Sequence, residues 1–194
     1  MHRFILPVKG LGRGKTRVSG APRDRADLVD AMLLDTMLAA LATDLGPVVV
    51  VTSDPRILSL ARQHGALGIS HAGGLNAAAA AGAGRTRAAI LLPDVPAVKP
   101  SELVDTLESC DRGFVEDWAG TGTTMLFGRG LRPQFGPASA ARHAHAGYPP
   151  VAAAGAGLRA DVDTWSDLHR AVELGVGPNT QRLLDAGIHS PSKR

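Results

Sequence analysis

Cysteine is nearly absent: the single Cys110 in 194 residues allows neither an internal disulfide nor a cysteine-based zinc site. Aromatic residues are scarce as well, with two Trp, one Tyr and four Phe. So few rings furnish no base-stacking platform, and nucleic acid is not the expected partner. No apolar run approaches the roughly 20 residues that cross a bilayer, and the first nine residues read as a strand instead of a signal peptide. No membrane association is expected, and the expected compartment is the cytoplasm. There is no Gly-x-Ser-x-Gly elbow and no histidine near Cys110 in sequence, so covalent catalysis is not indicated. The length suits one domain, expected over 1–188, with a frayed tail at 189–194.

Acidic residues are missing where basic ones crowd. In the first 25 residues Arg3, Lys9, Arg13, Lys15, Arg17, Arg23 and Arg25 face only Asp24, and between Trp118 and Ala160 Arg129, Arg132, Arg142 and Arg159 occur with no Asp or Glu. Both stretches should attract anions. With base stacking set aside, a small phosphorylated ligand fits them better than nucleic acid.

What is present follows a strand–helix rhythm. Apolar runs at Arg3–Val8, Val48–Val51, Ala66–Ser70 and Ala88–Leu92 predict strands, and helical spacing predicts helices over Arg23–Thr43, from Pro55 to about His64, from Leu75 to about Arg85 and over Ser101–Ser109. Thr52-Ser53-Asp54 is expected to cap the second helix, and Ser101 the fourth. Such alternation implies an α/β fold with a parallel sheet, and ligands then bind beyond the carboxyl ends of the strands. The loops at Lys9, Thr52 and Asp94 share that edge. Beyond Ser109 the rhythm changes: Phe114-Val115 and Thr123–Phe127 read as strands, Ala138–Ala146 and Asp163–Leu174 as helices.

Several segments carry candidate chemistry. Gly10 to Thr16 tempts toward a P-loop, but Gly10 and Gly14 enclose three residues where that motif needs four. Its physical content survives, because glycines free backbone N–H groups to face an anion while Lys9, Arg13, Lys15 and Arg17 add charge. Asp94, held between Pro93 and Pro96 at a strand end, is placed to ligate a hard cation such as Mg²⁺; a turn or cap role is the alternative. Asp161 and Asp163 share one side if their stretch is extended, although Asp163 also stands at a natural helix cap. The turn Gly120–Thr124 and the segment Phe135–Ser139 offer hydroxyls and free N–H groups to a small acid. His143 and His145 lack helical metal spacing, and no zinc is expected there.

Taken in order, Pro7-Val8-Lys9, Val51–Asp54, Gly74-Leu75-Asn76, Asp94-Val95-Pro96, Asp117 with Gly120–Thr124, Phe135–His143 and Gly157–Thr164 resemble a known family over about 4–180. It is similar to the guanylyltransferases that make the activated phospho-acid for coenzyme F420. The resemblance implies a nucleotide-diphospho-sugar-transferase-like three-layer α/β/α sandwich with a mixed sheet, and transfer of GMP from GTP to a substrate phosphate with release of pyrophosphate. It implies Mg²⁺ on Asp94 and Asp161 with Asp163 close by. It further implies the phospho-acid on Thr123, Gly136, Ser139 and Arg142, and the nucleotide on Lys9, Arg13, Lys15, Arg17, Thr52 and Asn76. Phosphoenolpyruvate is expected over 2-phospho-L-lactate, because abundant arginine, alanine and glycine fit a GC-rich, actinobacterium-like source. The partner implied beyond these is a downstream transferase that accepts the product. Another nucleotidyltransferase, such as a molybdopterin guanylyltransferase, and a nucleotide-binding regulator without catalysis are the alternatives.

Overall fold

The computed structural model describes residues 1–8 and 22–187, with side chains of 22–25 left aside. Four parallel strands, β1 (Arg3–Pro7), β2 (Val48–Thr52), β3 (Leu67–Ser70) and β4 (Arg87–Leu91), alternate with α1 (Pro22–Leu41), α2 (Pro55–Gln63) and α3 (Leu75–Ala83). After α4 (Pro100–Ser109), β5 (Gly113–Glu116) and β6 (Thr123–Arg129) form an antiparallel pair, and β6 runs antiparallel to β4. The sheet order is β3-β2-β1-β4-β6-β5. Four short helices follow: α5 (Ser139–His145), α6 (Ala156–Arg159), α7 (Trp165–Leu174) and α8 (Pro178–Asp185).

Strand alternation builds the three layers. Phe4, Leu6, Val48, Val50, Ala89, Leu91, Met125 and Phe127 face one core with Leu33 and Met37 of α1, Ile57 of α2 and Leu103 of α4. Their neighbours Ile5, Val49, Val51, Ala88, Ile90 and Leu126 face the other side, against Ala78, Ala79 and Ala83 of α3 and Ala140 of α5. Successive side chains point to opposite faces, so runs apolar at every position are what a sheet covered on both sides requires. The alanines of α3 have a steric reason. A Cβ at Gly82 would stand 2.6 Å from Ile5 Cγ2 and 2.9 Å from Val51 Cγ2, so this helix lies on β1 and β2 at a distance only small residues permit.

Local capping corrects two expectations. Helix α4 begins at Pro100 after Lys99, not at Ser101; Pro is pre-set for the first helical position, and the Lys99 amide donates to Glu102 Oε2 at 2.8 Å. Helix α7 is capped by Thr164, not by Asp163: Thr164 Oγ1 accepts from the Asp167 amide at 3.2 Å, and Asp167 Oδ2 accepts from the Thr164 amide at 2.8 Å. The reciprocal pair satisfies the Thr164 and Asp167 amides together. Asp54 caps α2 as expected, accepting from the Arg56 amide at 2.9 Å.

Helices α6 and α8 are additional to the sequence expectation. Both are held from far away in the chain. Glu102 Oε1 accepts from the Gly157 amide at the start of α6. Buried Asp35 of α1 accepts from the Asn179 and Thr180 amides at the start of α8, at 3.0 and 2.8 Å. No described helix is long and apolar enough to cross a membrane.

Candidate active site

The carboxyl ends of β2 and β4 and the amino end of antiparallel β6 fall on one sheet edge, because Leu91 pairs with Met125 in opposite chain directions. The next rung, Leu92 N–H to Thr124 O at 2.8 Å, carries that pairing past the strand end. Asp94 therefore lies two residues from a bond to the turn that carries Thr123. Val8 N–H donates to Val51 O at this edge; Lys9, Arg13, Lys15 and Arg17 lie outside the described residues.

The Asp94 turn is tied down from three directions. Its own carbonyl accepts from the Val162 amide at 2.9 Å, the Pro96 carbonyl from the Gly177 amide at 2.8 Å, and the Pro93 carbonyl from Thr36 Oγ1 at 3.4 Å. The first bond joins the segments carrying Asp94 and Asp161, which are 67 positions apart in sequence. Val162 is fully buried between Asp161, half-buried, and Asp163, exposed. Among the described residues no three His, Cys, Asp or Glu side chains are grouped closely enough to hold a metal ion. Helix α6, which ends two positions before Asp161, is packed tightly: a Cβ at Gly157 would stand 2.7 Å from Glu102 Oε2 and would collide with the Ala97 carbonyl. Only glycine lets that backbone approach so closely.

The second half of the edge is a glycine and hydroxyl cradle. Asp117 Oδ1 and Oδ2 accept from the Thr121 and Gly122 amides, both at 2.8 Å, and shape the Gly120–Thr123 turn. The Ala140 amide of α5 then donates to Thr121 O at 3.1 Å. Facing that turn is the loop through Gly136, where Gly136 (φ 124°) and Ala138 (φ 54°) both have positive φ. A side chain at Gly136 would be strained there.

Side chains hold all four backbone polar groups of Gln134 and Phe135. The Gln134 amide donates to His143 Nε2 (3.0 Å), and Arg142 Nη2 donates to the Gln134 carbonyl (2.9 Å). The Phe135 amide donates to Asn76 Oδ1 (2.7 Å), and Asn76 Nδ2 donates to the Phe135 carbonyl (3.1 Å). A loop pinned at four points presents Gly136 and the Ser139 amino end of α5 with little freedom left.

The expected acceptor residues Thr123, Gly136, Ser139 and Arg142 thus converge, with Thr123 and Ser139 buried and Gly136 and Arg142 exposed. Asn76, expected at the nucleotide, has both ends of its carboxamide on the loop beside Gly136. Thr52, also expected there, is buried at the end of β2, its Oγ1 accepting from the Asp54 amide at 3.2 Å.

Three further residues hold the site in ways the sequence reading assigned to none of them. Asp117 organises its turn, Glu102 fixes α6, and His143 is buried against Phe114, Phe135 and Tyr148. Its Nδ1 lies 2.9 Å from Thr123 Oγ1. Burial, with the Arg142 guanidinium second, pushes the His143 pKa down to about 4. The only sequence signal was a histidine three positions after Ala140 on the apolar side of α5.

A family model described as "Guanylyl transferase CofC like" matches residues 2–149. A phosphoenolpyruvate guanylyltransferase of Nocardia farcinica is 42% identical over 216 residues, covering 98% of this chain and 96% of that protein. Among solved structures, a Desulfovibrio desulfuricans protein assigned by its description to the nucleotide-diphospho-sugar transferases superposes with a TM-score of 0.68 at 15% identity, covering 95% and 94% of the two chains. A Mycobacterium tuberculosis protein crystallised with manganese superposes with a TM-score of 0.52 at 19% identity, covering 89% and 99%. At these identities the two structures establish the shared α/β fold, while the sequence matches span most of the chain. The chain belongs to the CofC-like guanylyl transferase family.

Proposed function

We propose that the protein transfers GMP from GTP to phosphoenolpyruvate and releases pyrophosphate. The observation that carries this reading is the pair of backbone bonds, Val162 N to Asp94 O and Leu92 N to Thr124 O. They tie the segments that carry Asp94 and Asp161 to the turn that carries Thr123, which supports a shared site for the two anions. The names of the relatives support the acceptor.

The acceptor phosphate, whose second pKa is about 6, is already an anionic nucleophile at neutral pH and needs no protein base. One of its oxygens attacks the α-phosphorus of GTP, the bond to the β-phosphate breaks, and pyrophosphate leaves with that electron pair. The protein's task is to align two anions that repel each other and to stabilise charge at the α-phosphorus. In this reading Thr123, Gly136, Ser139 and Arg142 hold the phospho-acid, Lys9, Arg13, Lys15 and Arg17 hold the triphosphate, and Thr52 and Asn76 border the nucleotide.

The donor chemistry at Asp94 and Asp161 fits Mg²⁺, a hard cation that takes one or two carboxylates and completes its shell with water and substrate phosphates. Asp163 lies two residues along the same segment. When bound, the ion neutralises phosphate charge. The manganese of the mycobacterial neighbour supports a divalent ion in this fold. The cytoplasm is the proposed compartment, and a transferase that accepts the activated product is the proposed partner.

The test is pyrophosphate release from GTP and Mg²⁺ with phosphoenolpyruvate or 2-phospho-L-lactate. Release with phosphoenolpyruvate is expected. Preference for 2-phospho-L-lactate would overturn the acceptor, and GTP binding without release on either acid would overturn the activity.

A further inference from the structure

We infer that His143 is a positioning residue: its imidazole fixes Thr123 Oγ1 as a hydrogen-bond acceptor, which turns the Thr123 hydroxyl proton outward as a donor to the acceptor substrate. The inference rests on the reading that the Thr123 turn binds that substrate.

The tautomer follows from the contacts. A backbone amide can only donate, so the bond from Gln134 N at 3.0 Å makes His143 Nε2 an acceptor and leaves it without a proton. The neutral ring then carries its proton on Nδ1, which is 2.9 Å from Thr123 Oγ1 and must donate to it. The hydroxyl's own proton is left to point elsewhere. Among the described residues it meets no acceptor, although Thr123 is only 3% exposed. A buried hydroxyl proton needs a partner, and an anionic phospho-acid in the cradle supplies one.

Ring orientation is equally constrained. Phe114, Phe135 and Tyr148 surround His143, with ring centroids 5.9, 5.3 and 6.1 Å away. The Tyr148 hydroxyl is itself held by the Arg132 amide at 2.9 Å. Arg142 stands on the same helix, and Arg112 is stacked 4.6 Å from the Tyr148 ring centroid. Burial first and the Arg142 guanidinium second disfavour an imidazolium and push the His143 pKa down to about 4. One imidazole therefore sets both the Thr123 donor direction and the position of the Gln134–Gly136 loop across from it.

Two measurements test the inference. In the wild-type protein labelled with ¹⁵N-histidine, NMR should show His143 neutral with its proton on Nδ1 from pH 5.5 to 8. A proton on Nε2, or titration near 6.5, would overturn it whatever the enzyme's acceptor proves to be. Kinetically, His143→Gln offers a side-chain oxygen to the Gln134 amide but no Nδ1 donor. It should raise KM for phosphoenolpyruvate by about ten- to hundredfold, the worth of one charge-assisted hydrogen bond, while kcat and KM for GTP change less than about twofold. In a Thr123→Val background the same substitution should add less than about twofold. Equal effects in both backgrounds, or an equal rise in KM for GTP, would reduce His143 to a packing residue. Should His143→Gln fail to fold, the tautomer decides alone. Should the wild type transfer GMP to neither acid, the proposed reaction fails while the tautomer still stands or falls by itself.

Discussion

Acidification should cost this protein stability in a window set by His143. In the unfolded chain the imidazole titrates near 6.5, and in the fold burial and Arg142 hold it down to about 4. Between those values the unfolded state binds a proton that the folded state does not, so stability rises with pH across the window. The contribution is fully present above pH 6.5 and is lost as pH falls toward 4. A separation of about 2.5 units at 1.36 kcal/mol each gives roughly 3 kcal/mol, a large share of a typical domain's 5–15 kcal/mol. Urea denaturation at steps from pH 7.5 to 4, on wild type and His143→Gln, isolates the term. His2, lowered by burial with Arg87 and the amino terminus behind it, acts in the same sense; Asp30, raised by burial, acts in the opposite sense. Both are common to the two proteins and cancel in the difference. The wild type should lose roughly 3 kcal/mol relative to the variant across the window, and parallel curves would refute the reasoning.

Other substitutions probe the remaining parts. Asp94→Asn should lower turnover roughly a thousandfold with circular dichroism unchanged, and wild-type rates would remove its catalytic role. Asn76→Ala should release the Phe135 loop and raise KM for the phospho-acid; an unchanged KM for the acid would refute its hold on that loop. Gly157→Ala should destabilise by about 1–3 kcal/mol, since its Cβ meets the Ala97 carbonyl and Glu102, and should cut activity through Asp161; a stability loss without an activity loss would separate α6 from the site. Asp35→Ala should cost about 2–4 kcal/mol in chemical denaturation, because it strips the cap of α8 and orphans buried amides.

The first two-thirds of the sheet was legible because its signals are local. Val48–Val51 is apolar on both faces, Asp54 caps its own helix, and each strand ends in a turn at one edge. Antiparallel β6 was harder to read: Thr123–Phe127 reads as a strand, but its direction is set by the Leu91–Met125 pairing, which no local pattern encodes. Helices α6 and α8 escaped for the same reason, since Glu102 and Asp35 hold them from 55 and 144 positions away. At α7 two neighbouring cap residues competed, and Asp167, three positions past Thr164, decided between them. At α4, Pro100 was the overlooked start signal. Within the candidate site, Thr123, Gly136, Ser139 and Arg142 stand in ordered motifs whose proposed roles come from the family resemblance. The contacts of His143 were not readable from the same motif, because they depend on a backbone amide at Gln134 and on three rings contributed by separate segments.

The account stands most directly on where the two anions bind. A crystal grown with Mn²⁺, a non-hydrolysable GTP analogue and phosphoenolpyruvate would locate the ion by its anomalous signal and the acid by its density. The expected result is the ion on Asp94 and Asp161, with the acid between the Thr123 turn and Gly136, its phosphate directed at the α-phosphorus. An ion remote from both carboxylates, or an acid bound away from Thr123, would contradict it.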